Sequence, residues 1–170
     1  MKNKKLYNMI FPLWAIPIFP FFWFIVIPLN FIIDSIVLIL GLKFIKIEDW
    51  KNIYKKSIFF VVAFGFLSDI ISGLLLYIVG TKLEDINYDI FSHIAYDPIN
   101  NIYSFSVVLI AVIIAFILIY FFNKNISFKN SKSITLEEKK KLSLILAIFT
   151  TPYIYLFSLE FVNNVLPIFY

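Results

Sequence analysis

A 42-residue stretch from Leu6 to Ile47, LYNMIFPLWAIPIFPFFWFIVIPLNFIIDSIVLILGLKFIKI, carries one acid, Asp34, and no base before Lys43. As a helix at ~1.5 Å per residue it would be about 63 Å long, roughly twice the ~30 Å hydrocarbon core of a bilayer. Such a run belongs in a membrane, and one straight crossing cannot use it up. Either it folds back as a hairpin of two membrane segments, 6–27 and 30–47, or one segment crosses and the rest lies at the interface. Pro28-Leu29-Asn30 is the natural turn of the hairpin, since proline forbids an interior helical hydrogen bond and asparagine is a good cap for a helix starting there. Pro12, Pro17 and Pro20 oppose a regular first arm, because irregular backbone at membrane depth persists only under a cover of other protein.

Composition points the same way. Of 170 residues 61% are hydrophobic and 20% aromatic, and the mean hydropathy of +0.90 is far above that of a soluble domain this size. The fold class expected is all-α, a polytopic helical bundle forming a single transmembrane domain, with five membrane segments favoured over four. Without cysteine, thiolate metal sites and cysteine nucleophiles are excluded, and a single histidine, His93, excludes any multi-histidine site. No cofactor is called for. All 15 basic residues are lysine. They flank apolar spans, so anionic lipid headgroups are the expected partners and nucleic acid is not. MKNKK followed by an apolar run imitates a secretory signal, but the run is long, contains prolines and lacks a small-x-small site, so an uncleaved anchor is expected.

Further along, Trp50 and Tyr54 in EDWKNIYKK are placed as interfacial anchors. Residues 57–79 and 103–122 read as clear spans, and Asp97-Pro98 marks a stop between them. Thr135-Leu136-Glu137-Glu138 fits a capping box opening the last helix, whose membrane segment, 142–160, contains Pro152 and ends at Glu160. The connections 43–56 and 123–141 hold five and six lysines, whereas 80–102 holds only Lys82 against Glu84, Asp85, Asp89 and Asp97. Basic loops stay in the cytoplasm. This orients 43–56 and 123–141 inside, with 80–102 and the C-terminus outside, in a multi-pass protein of the cell membrane. The hairpin also puts the three amino-terminal lysines inside, so the charge count favours it.

An ionised carboxylate at membrane depth costs several kcal/mol and rarely persists without a role. Asp69 therefore leads the candidate residues, with Asp34 and Asn30 beside it. Gly65, Asp69 and Gly73 recur every fourth residue on one helix face, where the glycines let another element approach the acid. Ser68 and Ser72 offer hydroxyls on the adjoining face. Asn30 and Asp34, also four apart, share a face, and pairing the two faces would bring both carboxylates and the amide together as a proton or cation site. Alternatively each acid simply hydrogen-bonds a neighbouring helix, and Asp34 serves as a helix-start residue. In the outer loop Asp85, Asp89, His93 and Asp97 recur every four residues, a spacing that one continuous helix would turn into a weak divalent-metal candidate, though it usually marks a solvated face. Ala111 with Ala115, and Ser143, Ala147 and Thr151, read as packing faces. Thr150-Thr151-Pro152 reads as a kink satisfied by threonine hydroxyls.

PLNFIIDS at 28–35, FGFLSD at 64–69 and IFTTPY at 148–153 resemble blocks of a family of small, uncharacterised multi-span membrane proteins of Gram-positive bacteria. The resemblance implies a location and no catalytic residues. Lipoprotein signal peptidases pair two aspartates in asparagine-rich motifs that have no match here, and small multidrug exporters are shorter and carry a glutamate in the first span. Two functions stand level: a transport or channel subunit, homo-oligomeric, using the intramembrane aspartates, and a non-catalytic accessory protein working with a membrane partner. An aspartate-dependent intramembrane hydrolase comes third, so an enzyme is not the expectation.

Overall fold

A computed structural model of the chain describes residues 11–131, 133–159, 161 and 162. The amino-terminal lysines, the start of segment 6–27, Lys132, Glu160 and the C-terminus lie outside the described residues. Those described are all-helical, without a strand. Five α-helices succeed one another: α1 Trp23–Phe44, α2 Trp50–Ile86, α3 Tyr88–Tyr96, α4 Ile102–Phe122 and α5 Leu136–Thr150. Before α1 come two 3-10 turns, Leu13–Ile18 and Pro20–Phe22, and after α5 another, Tyr153–Leu156.

Three helices are long and apolar enough to cross a membrane, α1, α2 and α4 with its extension to Ser127. The 22 residues of α1 and 21 of α4 make about 33 and 32 Å, each matched to a ~30 Å core. At 37 residues, or about 55 Å, α2 overshoots it, and its ends are the polar stretches around Lys51–Lys56 and Thr81–Asp85.

The hairpin about Pro28 does not form. Helix α1 runs straight through Pro28-Leu29-Asn30, so 6–27 and 30–47 are not separate segments. One internal proline removes a single N–H, a loss that membrane helices tolerate where packed neighbours and local adjustment of the backbone take it up. Three prolines in nine residues, at 12, 17 and 20, do break the chain. The broken stretch is covered as its irregularity requires, with Leu13, Trp14, Ala15 and Pro17 buried and two indoles taking up carbonyls: Trp14 Nε1 donates to Ile94 O at 3.1 Å and Trp23 Nε1 to Pro17 O at 2.9 Å.

A tight turn joins α1 to α2. Ile47 N donates to Leu42 O and Lys46 N to Lys43 O, with Lys46 left-handed at φ 62°. This is a Schellman ending with lysine where glycine is usual. Helix α2 is the hub, packed by α1, α3, α4 and the Leu13–Ile18 turn, while α5 closes against α1 and α4. At the lysine-bearing end one apolar core gathers Leu38, Leu42, Ile53, Ile119, Phe128, Leu142 and Leu146. At the opposite end a second gathers Trp14, Leu76, Ile94, Val108, Val112 and Tyr155. The faces expected from Ala111, Ala115, Ser143, Ala147 and Thr151 are buried.

Two other segments depart from the sequence expectation. The stretch 142–160 is not one helix, because α5 stops at Thr150 and Thr151 turns extended (φ −61°, ψ 140°), as the residue before a proline prefers. The hydroxyls of Thr150 and Thr151 donate to Leu146 O and Ala147 O at 2.8 and 2.5 Å, the expected way of satisfying such a break. The loop 80–102 is largely helical, comprising the end of α2 and all of α3. The capping box is present as expected: Glu138 N donates to Thr135 Oγ1 and Thr135 N to Glu138 Oε2.

Candidate functional site

Between the two cores lies a polar layer built by α1, α2 and the chain after α5. Half-buried Asn30 and buried Asp34 and Ser35 share one side of α1 because of their spacing, since four residues make just over one turn. The same rule aligns Gly65, Asp69, Ser72 and Gly73 on α2. Asp34 is 4% exposed and Asp69 8%. Asn30 Nδ2 donates to Asp69 Oδ2 at 3.3 Å, and Asp34 Oδ2 lies against Gly65, one turn before Asp69 on α2. The sequence candidates Asn30, Asp34 and Asp69 therefore do come together.

Each glycine makes room for something different. A Cβ on Gly65 would stand 3.4 Å from Asp34 Oδ2, so Gly65 is where the α1 carboxylate docks on α2. A Cβ on Gly73 would stand 2.5 Å from the carbonyl oxygen of Trp14. The element that approaches Gly73 is thus irregular N-terminal backbone, where another helix was expected. Ser68 and Ser72 spend their hydroxyl protons on their own helix, donating to Phe64 O at 2.7 Å and Asp69 O at 3.0 Å.

Two contributors are not evident from the sequence. Tyr155, delivered by the turn after Pro152, is buried and its hydroxyl reaches Asp69 O at 3.4 Å beside Ser72. Its only signal is a phenol inside an apolar run just past a proline break. Below the layer, Tyr54 Oη donates to Ser35 Oγ at 3.0 Å, next in sequence to Asp34, whereas its place in EDWKNIYKK suggests only an interfacial anchor.

The layer is unbalanced. It holds two carboxyl groups and, among the described residues, the one ion pair is Lys140–Glu137 on the exposed start of α5. Asp69 Oδ1 is buried with no hydrogen-bond partner. Chemically the donor set is all oxygen, apart from one amide that already donates to Asp69. That composition suits a proton or a hard cation.

The outer-loop series does not converge. Among the described residues no three His, Asp or Glu side chains stand together as a metal site. The reason is local: the helix breaks at Asn87, which ends α2 and caps α3 by accepting from Ile90 N, so Asp85 lies on one helix, Asp89 and His93 on the next, and Asp97 at its end. His93 Nδ1 lies 3.2 Å from Asp97 O, a contact within its own turn. Comparison of the chain with protein-family models, curated proteins and solved structures finds no match.

Proposed function

We propose that this chain is a small multi-pass membrane protein in which Asp34 and Asp69, assisted by Asn30, bind a proton or cation as part of a transporter or channel subunit. The observation that carries the reading is the buried pair itself, with Asp69 Oδ1 unpartnered and no basic side chain bonded to either acid among the described residues. In a dry layer two carboxylates repel strongly, so the site holds at most one uncompensated negative charge and takes up a proton or cation for the rest.

For topology, the lysine-bearing connections face the cytoplasm, since basic loops are retained there. Helices α1, α2 and α4 cross completely, and α5 with the broken stretch after Pro152 makes a fourth, irregular segment that returns to the outer side. The competing reading, a non-catalytic accessory protein, draws on the Asn30–Asp69 bond, which serves equally well as interhelical glue.

Reconstitution in proteoliposomes with an imposed proton or alkali-cation gradient separates the two. The transport reading expects flux in the native protein and its loss in Asp69→Asn, with the variant still folded. Equal flux in native protein, Asp69→Asn and empty vesicles would sink it and leave the accessory role.

A further inference from the structure

We propose that the groove between α1 and α2 binds an acyl chain of one anionic phospholipid, with its phosphate held at the lysine-bearing end by Lys55 and Lys43. The groove encloses about 890 Å³ and is lined solely by apolar and aromatic residues, including Trp23, Phe31 and Ile32 from α1 and Phe59, Ala63 and Phe66 from α2. Trp23, the one lining residue with a side-chain donor, has already spent it on Pro17 O. The groove therefore offers nothing to a polar ligand. It is also open, since Phe31, Ile32 and Phe59 are 46%, 52% and 73% exposed. Its walls are two helices apolar enough to span a bilayer, which places it at hydrocarbon depth.

The lysines supply charge complementarity. Lys55 is one turn before Phe59 on the stripe that continues through Val62 and Phe66, and on α1 the stripe through Ile32, Ile36 and Ile39 ends at Lys43. Lys55 thus stands one turn beyond the α2 wall, and Lys43 three turns beyond Ile32, the last groove residue of α1, at the same end of the bundle. Both lysines are exposed, and among the described residues neither is in an ion pair. Lys43 Nζ rests 4.9 Å over the Trp50 ring, which fixes it near the membrane surface while leaving its N–H donors free for a phosphate. A neutral lipid would fill the apolar part equally well; the lysines select the anionic headgroup.

The full chain is reconstituted in phosphatidylcholine vesicles containing a minor fraction of phosphatidylglycerol, with bromine on the acyl chains of one lipid or the other at equal bromine content. Bromine quenches indole fluorescence on contact, and Trp23→Phe identifies the part of the signal that comes from the groove. The expected result is stronger quenching of Trp23 by brominated phosphatidylglycerol than by brominated phosphatidylcholine, each lysine contributing about a fivefold preference. Lys43→Gln with Lys55→Gln should make the two lipids equal without losing quenching, and Ala63→Phe should reduce quenching by both. Equal quenching in the native protein, or a preference that survives loss of both lysines, overturns the proposal. Quenching by neither lipid, with protein crosslinking through the groove, would mean that a second copy covers it and also overturns the proposal.

Discussion

Replacing Gly73 by alanine tests how the proline-broken amino terminus is held. The new methyl would lie 2.5 Å from Trp14 O, about 1 Å inside the ~3.5 Å of a good contact. Neither side can easily yield. The carbonyl belongs to main chain whose indole is buried and bonded to Ile94 O, and Gly73 lies in the middle of α2. Forcing an extra carbon into such a site costs about 1–3 kcal/mol, a five- to 150-fold loss in the folding equilibrium. Gly65→Ala is the internal control, because its methyl would meet Asp34 Oδ2 at 3.4 Å, an ordinary contact, while the helix gains up to about 1 kcal/mol from losing a glycine. Equilibrium unfolding in mixed micelles of mild and denaturing detergent, monitored by tryptophan fluorescence, reads both. Gly73→Ala should be the less stable variant, with a red-shifted Trp14 emission as the indole leaves its pocket. A Gly73→Ala protein as stable as Gly65→Ala, with unchanged emission, would refute the packing of Trp14 on α2.

Other substitutions bear on single interactions. Lys46→Gly should stabilise the α1–α2 turn by about 1 kcal/mol, since the residue is left-handed and only glycine adopts that conformation without strain; the same detergent titration reads it. Tyr155→Phe removes the donor to Asp69 O and should cost about 1 kcal/mol, with a proteolysis assay showing earlier cleavage after Pro152. Thr135→Ala removes the N-cap of α5 and should cost about 1 kcal/mol, read as faster amide exchange in its first turn. Glu138 completes that cap, and its bonds to Thr135 hold the carboxyl below its ordinary value of 4.5. A depressed acid contributes above its unfolded pKa and stops contributing as pH falls through the folded one. Protection from amide exchange at the start of α5, taken relative to the intrinsic rate at each pH, should therefore be constant at neutral pH and fall below about 4.5, and Glu138→Gln should flatten that dependence.

Much of the arrangement is legible in the residues, but unevenly. Helices α1, α2 and α4 arise from runs of apolar residues of bilayer length, and the pairing of Asn30 and Asp34 with Asp69 from four-residue spacing on two antiparallel faces. The blocks 28–35, 64–69 and 148–153 lie along the polar layer, the first two supplying its acids and the third leading into Tyr155. Pro28 suggests a hairpin only while a proline's local veto is weighed without the neighbours that let an apolar helix absorb it. Counting lysines does not correct this, since charge placement is a property of the whole topology. Trp14 and Tyr155 escape a sequence reading for another reason: each is placed by irregular chain whose path no periodicity describes. The spacing of Asp85, Asp89, His93 and Asp97 misleads because it presumes one helix across Asn87, where a cap ends the period.

The proposed function requires Asp34 and Asp69 to act as one coupled site. Infrared difference spectra of the carboxyl stretch in the detergent-solubilised protein, taken across pH and with added lithium, sodium or potassium, test it most directly, with Asp34→Asn and Asp69→Asn assigning the bands. Removing either acid should shift the other's band and change its response to protons or to one of the cations. Two bands that ignore each other's removal and every added cation would contradict it, and the acids would then be separate packing groups.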